Sequence, residues 1–269
     1  FQCLQCTRVS YNRKGINMFY VLFFILGSVM GSFFHVVATR ISNNESIITP
    51  SSHCHICNHK LRWYELIPII SYIIQGGKCR KCKEKLPLSY LIIEIVTGIL
   101  YAVCYHEYGF SADLIISLIF VSILIIVIIS DIEYMIILDE VLVFGSVITI
   151  IFYLILYGVD GTVYHVLDAA LAFGAMYALK LLGDFMFKKE SLGGGDIKLM
   201  FFFGLVIGLP LSVITIFVAT FIAFPIALFV LFSRRDNMIP FGPFLSMAAI
   251  LILISGINTD DIVNIIANK

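Results

Sequence analysis

Two carboxylates, Asp131 and Asp196, stand out in a chain that is otherwise apolar around them. Asp131 closes a long run of Ile, Leu and Val, and Asp196 opens another within Leu192-Gly193-Gly194-Gly195-Asp196-Ile197-Lys198. An ionisable side chain at membrane depth is costly, so each one is a candidate functional group. Glu94, Glu133, Asp139, Glu140, Asp168 and Lys180 belong to the same set. Three glycines ahead of a helix start let backbone approach a ligand closely and take up positive φ without steric cost. An aspartate there also lies near the positive end of a helix dipole. If Asp131 and Asp196 meet, both cannot ionise cheaply, and the pair shares one proton. The charged member can then take a proton from water while the neutral one polarises a carbonyl and later protonates a leaving amine. That chemistry needs neither a metal nor a covalent intermediate. Local sequence also allows blander readings: a flexible linker with an N-cap aspartate at 196, and a solvated acidic turn at 131–140.

A second constellation is Cys54-His55-Ile56-Cys57 with Cys79-Arg80-Lys81-Cys82. Two such knuckles suit tetrahedral Zn²⁺, because each short knuckle supplies two thiolates to one edge of the polyhedron. In a reducing compartment a thiolate site is the natural alternative to disulfides. Surrounding Lys and Arg residues would offset the thiolate charge. His53, His55 and His59 are close enough in sequence to compete as ligands, but four cysteines already complete the shell. A closed site of this kind supplies folding energy rather than catalysis. Four free cysteines in a polar loop is the alternative.

The elements that must carry these groups follow from composition. Of 269 residues, 60% are hydrophobic and only 13% are charged, and mean hydropathy is +0.99. A water-soluble globule is excluded on those figures. Eighteen basic and eighteen acidic residues cancel, so nothing in the overall charge points to nucleic acid. Runs near the ~20 residues a transmembrane helix needs fall at 18–39, 89–106, 113–130, 140–157, 163–183, 197–209, 211–233 and 241–257. The expected fold is all-α: a polytopic membrane protein of about eight transmembrane helices, with one polar, cysteine-containing insert at 40–88 and a seven-helix membrane core over 89–269.

Lys and Arg set the orientation. Arg40, Lys60, Arg62, Lys78, Arg80, Lys81, Lys83 and Lys85 lie in the insert; Lys188, Lys189, Lys198, Arg234 and Arg235 lie in later loops on the same side. That side is expected to be cytoplasmic, with both termini outside. Span alternation then brings Asp131 and Asp196 to the same membrane face. Arg8, Arg13 and Lys14 run against the rule. Met18 begins the first span, so residues 1–17 read as an extension in which Cys3 and Cys6 carry no function. No span is followed by a small-residue cleavage site, so the first helix is expected to stay.

From Met18 onward the sequence resembles bacterial type IV prepilin peptidases. Gly27-Ser28-Val29-Met30-Gly31-Ser32-Phe33-Phe34-His35-Val36-Val37 is similar to the family's GSFLNVV segment. The insert matches through Leu61–Pro68 and Gly77–Cys82 to Tyr90 and Glu94. Ser130-Asp131-Ile132-Glu133-Tyr134-Met135-Ile136-Ile137-Leu138-Asp139 resembles the first catalytic motif, and Gly193–Leu199 the GxGDxKL motif. Pro240-Phe241-Gly242-Pro243-Phe244-Leu245 matches the carboxyl-terminal segment. The resemblance implies a GxGD-type aspartyl protease of the inner membrane, with Asp131 and Asp196 as the catalytic pair and Gly193, Gly195 and Lys198 supporting the loop. It also implies cleavage of the basic leader of type IV prepilins or pseudopilins after a glycine, at the cytoplasmic face. Many members then N-methylate the new amino terminus with S-adenosylmethionine, an activity associated with the insert.

Three positions depart from the family pattern: His35 stands for an asparagine, His55 for a proline inside the first knuckle, and Leu138 for a proline before Asp139. None removes a carboxylate or thiolate. Asp139 is the rival to Asp131 for the first catalytic position. Glu94 is expected to contact the insert or the methyl-transfer site. Lys198 either biases the pair's protonation or anchors the helix at the interface. Asp168 and Lys180 are expected to lie away from the chemistry, Lys180 snorkelling to the boundary.

Overall fold

A computed structural model describes residues 13–54, 56–188, 192–232 and 240–257. Its helices are α1 (Arg13–Ser42), α2 (Ile70–Ile74), α3 (Leu88–Tyr108), α4 (Ala112–Tyr134), α5 (Asp139–Phe187), α6 (Gly194–Ile207), α7 (Leu209–Phe232) and α8 (Gly242–Ile254). Among the described residues β-structure is limited to two isolated bridges, His53 to Lys60 and Lys78 to Lys85. Among the described residues five helices are long and apolar enough to cross a membrane: α1 from Met18, α3, α4, α5 and α7; α8 is apolar but shorter. In lipid only structures that satisfy their own backbone groups can span, which is why this composition folds as helices. The hydroxyls embedded in the bundle obey the same demand. Thr97, Thr149, Ser212 and Thr215 each donate to the carbonyl four residues earlier, on Ile93, Gly145, Gly208 and Leu211.

Small residues allow the tightest packing. A Cβ on Gly27 would lie 2.6 Å from the Thr97 carbonyl oxygen, and one on Gly98 would lie 2.6 Å from Ser28 Oγ. Backbones of α1 and α3 therefore meet directly, as small-residue interfaces permit where lipid removes any hydrophobic drive. α4 is the central helix. Phe120 on it packs against Phe202 and Phe203 of α6, with ring centroids 5.3 and 5.8 Å away, and all three rings are buried. α7 by contrast exposes Phe217, Phe221, Phe224 and Phe229.

Spans expected separately at 140–157 and 163–183 occur in one helical run. It is broken only at Gly158, where φ is 69° and ψ −171°. A straight helix would hold Tyr153 and His165 about 18 Å apart. Their rings instead stack with centroids 4.0 Å apart, so the run folds back as two arms. The loop expected around Asp160 is thus reduced to one glycine, with Asp160 itself helical. Gly208, at φ 80°, is likewise all that separates α6 from α7.

A further correction concerns the glycine run. Only Gly193 precedes α6; Gly194 and Gly195 form its first turn, and Asp196 is the third helical residue rather than the N-cap. The upstream extension expected at 1–17 falls mostly outside the described residues: 1–12 lie outside them, and α1 is helical from Arg13.

Candidate active site and cysteine cluster

Three helix ends converge on Ile137, in the short link between α4 and α5. α4 ends where Met135 takes a left-handed conformation (φ 56°) and donates its N–H to the Asp131 carbonyl, turning the chain just after Asp131. The first turn of α6 nests against the link: a Cβ on Gly195 would lie 2.8 Å from Ile137 Cβ. From the other side, a Cβ on Gly242 would lie 3.0 Å from Ile137 Cδ1 and 2.5 Å from Asp131 Oδ2. Asp131 and Asp196 are 6% and 7% exposed, and each is within electrostatic reach of the other. The pair expected from the sequence is thus brought together.

Each carboxylate is partly held by backbone. Asp131 faces the N–H of Gly242 at the start of α8. Asp196 reaches back to the N–H of Gly193, the N-cap, as an acidic residue in a capping box does. Its Oδ1 is buried and has no hydrogen-bond partner among the described residues. An orphaned carboxylate oxygen beside a second carboxylate is the arrangement that holds a shared proton or a water.

Asp139 occupies the first turn of α5, about half exposed, and forms an ion pair with Lys198 on α6. Lys198 therefore joins the two motif segments, and the rival aspartate is engaged with a cation rather than facing Asp196. Asp168 lies elsewhere: its carbonyl abuts Gly204, about 12 Å along α6 from Asp196.

The insert stands on the same side as the carboxylates. Asn43, just past α1, donates through Nδ2 to the Tyr134 hydroxyl at the end of α4, 3.3 Å away. His35 Nε2 lies 3.6 Å from Glu133 Oε1, and the His35 ring packs on Tyr90 with centroids 4.0 Å apart. The histidine that replaces an asparagine thus fills a joint between α1, α3 and α4. Arg40 gathers the start of the insert, donating to the carbonyls of Ser46, Ile47 and Pro50. Glu94, buried in α3, accepts the N–H of Ile69 at 2.7 Å, so it contacts the insert.

Within the insert, the two knuckles are structural copies 25 positions apart. Cys54 and Cys79 donate to the carbonyls of His59 and Glu84, and Asn58 and Lys83 donate back to Cys54 and Cys79. Asn58 and Lys83 both adopt positive φ, 53° and 62°. The four Sγ atoms all lie within 4.8 Å of one another, with Cys54 to Cys82 at 3.8 Å and Cys57 to Cys79 at 3.9 Å. Tetrahedral Zn²⁺ with Zn–S bonds of roughly 2.3 Å requires sulfur edges of roughly 3.8 Å. Backbone N–H groups of Cys82 and Lys81 hold the Cys79 thiol down to about 6. At Cys82 the Glu84 N–H acts in the same direction, but desolvation and the neighbouring sulfurs prevail and push the thiol up to about 12. Crowded sulfurs that resist simultaneous ionisation are the donor set a divalent soft-tolerant cation relieves, so the residues fit zinc. His53 bonds the Ser51 carbonyl and His59 approaches Glu65, away from the cluster, while His55 lies outside the described residues.

Sequence reading did not single out Gly242 or Ile137. Both lie inside segments that resemble family motifs, but no local pattern marks either one as the point where the helix ends meet.

Residues 25–108 match the family model of the bacterial peptidase A24 N-terminal domain, and residues 118–228 that of the type IV leader peptidase family. A prepilin leader peptidase/N-methyltransferase of Bacillus subtilis (strain 168) is 33% identical over 238 residues, covering 87% of this chain and 94% of that protein. Proteins of the same name from Vibrio cholerae and Pseudomonas aeruginosa are each 28% identical, covering 88% and 86% of this chain and 97% and 89% of those proteins. No solved structure matches. With both matched segments falling on the insert-bearing half and the carboxylate-bearing half just described, the chain belongs to the type IV leader peptidase family.

Proposed function

We propose that this protein is a membrane-embedded aspartyl endopeptidase that removes the leader of type IV prepilins or pseudopilins and N-methylates the new amino terminus. The observation that carries the reading is the buried pair Asp131 and Asp196, delivered by distant segments to one point beside Ile137. The names of the relatives support both activities.

In this mechanism the two carboxyls share one proton. The ionised member takes a proton from water, which attacks the scissile carbonyl; the protonated member polarises that carbonyl and then protonates the leaving amine. The apparent pKa values belong to the pair, not to either residue. Gly193 and Gly195 let the first turn of α6 approach, and Lys198 with Asp139 clasps the two segments. Residues 89–269 form the membrane-spanning peptidase core and residues 40–88 a zinc-bound insert, with the insert and the carboxylate site at the cytoplasmic face of the inner membrane, as the Lys and Arg distribution supports. Cys54, Cys57, Cys79 and Cys82 would hold the ion, whose role is to cross-link the insert. S-adenosylmethionine would supply the methyl group.

Separate Asp131→Asn and Asp196→Asn variants, reconstituted with a prepilin, test the pair. Each is expected to lose at least ~100-fold in processing; undiminished cleavage by either removes that residue from the mechanism. Mass spectrometry of the processed pilin should show one added methyl group, and an unmodified terminus with the methyl donor supplied would exclude the second activity.

A further inference from the structure

The insert presents a face that neither the carboxylate pair nor the cysteine cluster uses. Beside α2 is a groove of about 320 Å³ lined by Tyr64, Ile70, Ile74, Lys78, Arg80 and Lys83, among others, with no acidic side chain in its wall. Arg80 lies over the Tyr64 ring, 5.3 Å from its centroid. Trp63 packs edge-on to Tyr64, with centroids 5.7 Å apart. Around this groove, large apolar side chains stand in the open: Trp63 is 77% exposed, Ile73 65% and Ile74 79%.

The depth of this face is set by Glu94. Its hydrogen bond to the Ile69 N–H ties the residue before α2 to the second turn of α3. α3 is apolar and long enough to cross a membrane, and Glu94 lies about 9 Å along it from Leu88. α2 therefore lies level with the insert-side end of a spanning helix, where water gives way to headgroups and acyl chains. At that level, exposed isoleucines beside Lys78, Arg80 and Lys83 form an interfacial element: apolar side chains toward the acyl chains, cations toward phosphates. Residues 40–88 as a whole carry eight basic and three acidic side chains, so the sign of the charge favours an anionic surface. Three cations with no acidic counterpart are a poor match for a sulfonium, which separates this groove from a methyl-donor site.

We propose that the groove beside α2 binds the headgroup of an anionic phospholipid, with Trp63, Ile70, Ile73 and Ile74 seated in the same leaflet, so that the insert docks on the bilayer rather than standing free in solvent. The occupant is the lipid of the leaflet in which α1 ends and α3 begins.

The test uses the full chain in lipid nanodiscs and its single tryptophan, Trp63, as the reporter. Discs of phosphatidylcholine are compared with discs in which phosphatidylglycerol replaces part of it. Each Lys or Arg at an anionic surface adds roughly fivefold to the docked population, so the three together add on the order of 100-fold. In anionic discs Trp63 should become protected from acrylamide and quenched by brominated acyl chains, and high salt should reverse both. The triple variant Lys78→Gln, Arg80→Gln, Lys83→Gln should lose the difference; if it does not fold, the lipid and salt comparison on the unaltered chain still decides. Equal accessibility of Trp63 in the two kinds of disc would overturn the proposal. So would equal protection in phosphatidylcholine discs by soluble glycerol phosphate, which would assign a free anion, or by polyglutamate, which would assign an acidic protein. None of these readouts depends on peptidase activity.

Discussion

At the scale of single residues, the site depends on side chains that are missing as much as on those present. Gly242 leaves the room that the Asp131 carboxylate occupies, since any Cβ there would stand 2.5 Å from Oδ2. Gly242→Ala should therefore displace the carboxylate while sparing the fold. A displacement near 1 Å costs on the order of 100-fold in rate, so processing should fall steeply while the thermal midpoint changes little; a variant that processes normally would show that Asp131 is not held there. Lys198 and Asp139 present the opposite case. Their side chains are 51% and 55% exposed, and such pairs contribute at most about 1 kcal/mol. Lys198→Met should lower processing no more than roughly fivefold. A loss as deep as that of Asp196→Asn would place Lys198 at the reacting atoms instead. The carboxylates themselves were legible in the sequence, because charge inside apolar runs is conspicuous and alternating spans put both at one face. Gly242 was not: the need for a glycine there comes from the approach of α8, which no local pattern encodes.

At the scale of elements, hydropathy located the helices but not how their ends are joined. The two arms of α5 read correctly as separate apolar stretches. That a single residue, Gly158, turns the chain was hidden, because helix continues on both sides of it. The glycines ahead of Asp196 were legible as a motif and misread in register: two of them belong to the helix, where Gly195 lets its first turn lie on Ile137. The repeat between the knuckles shows in sequence only as C-x-x-C-x-x-K twice, too short to reveal that the turns match bond for bond. For α1 and α3 the close approach yields a stability prediction. Gly98→Val would bring a side chain against Ser28 Oγ and the Phe24 carbonyl, the latter 2.9 Å from the new Cβ. Backbone cannot yield as a side chain can, so destabilisation of about 1–3 kcal/mol is expected, read as a lower thermal midpoint in detergent. An unchanged midpoint would mean that α1 and α3 separate freely.

At the scale of the whole molecule, the carboxylate site is built from α4, α6, α8 and the link at Ile137, and the cysteine cluster from the insert alone. The two should fail independently. Removing zinc with a strong chelator should expose thiols to alkylation and release one equivalent of metal per chain, while most of the helical signal persists because nearly all helical residues lie outside the insert. Retention of an ordered insert in metal-free protein would contradict the structural role given to the four cysteines.

The glycine contact between α1 and α3 has a bearing on how that insert can fold at all. With Gly27 and Gly98 sealing the two helices together, residues 43 and 87 become the fixed posts of a closed hoop whether or not the hoop is structured. The entropy of joining its ends is then spent by the helix pair, not by the cysteine cluster. Doubling such a hoop costs only about 0.6 kcal/mol, so extra residues spliced at the exposed turn of Gly76 should leave the posts standing and the cross-link intact. The insert is for that reason the part of this chain most free to change in length while the membrane core stays as it is.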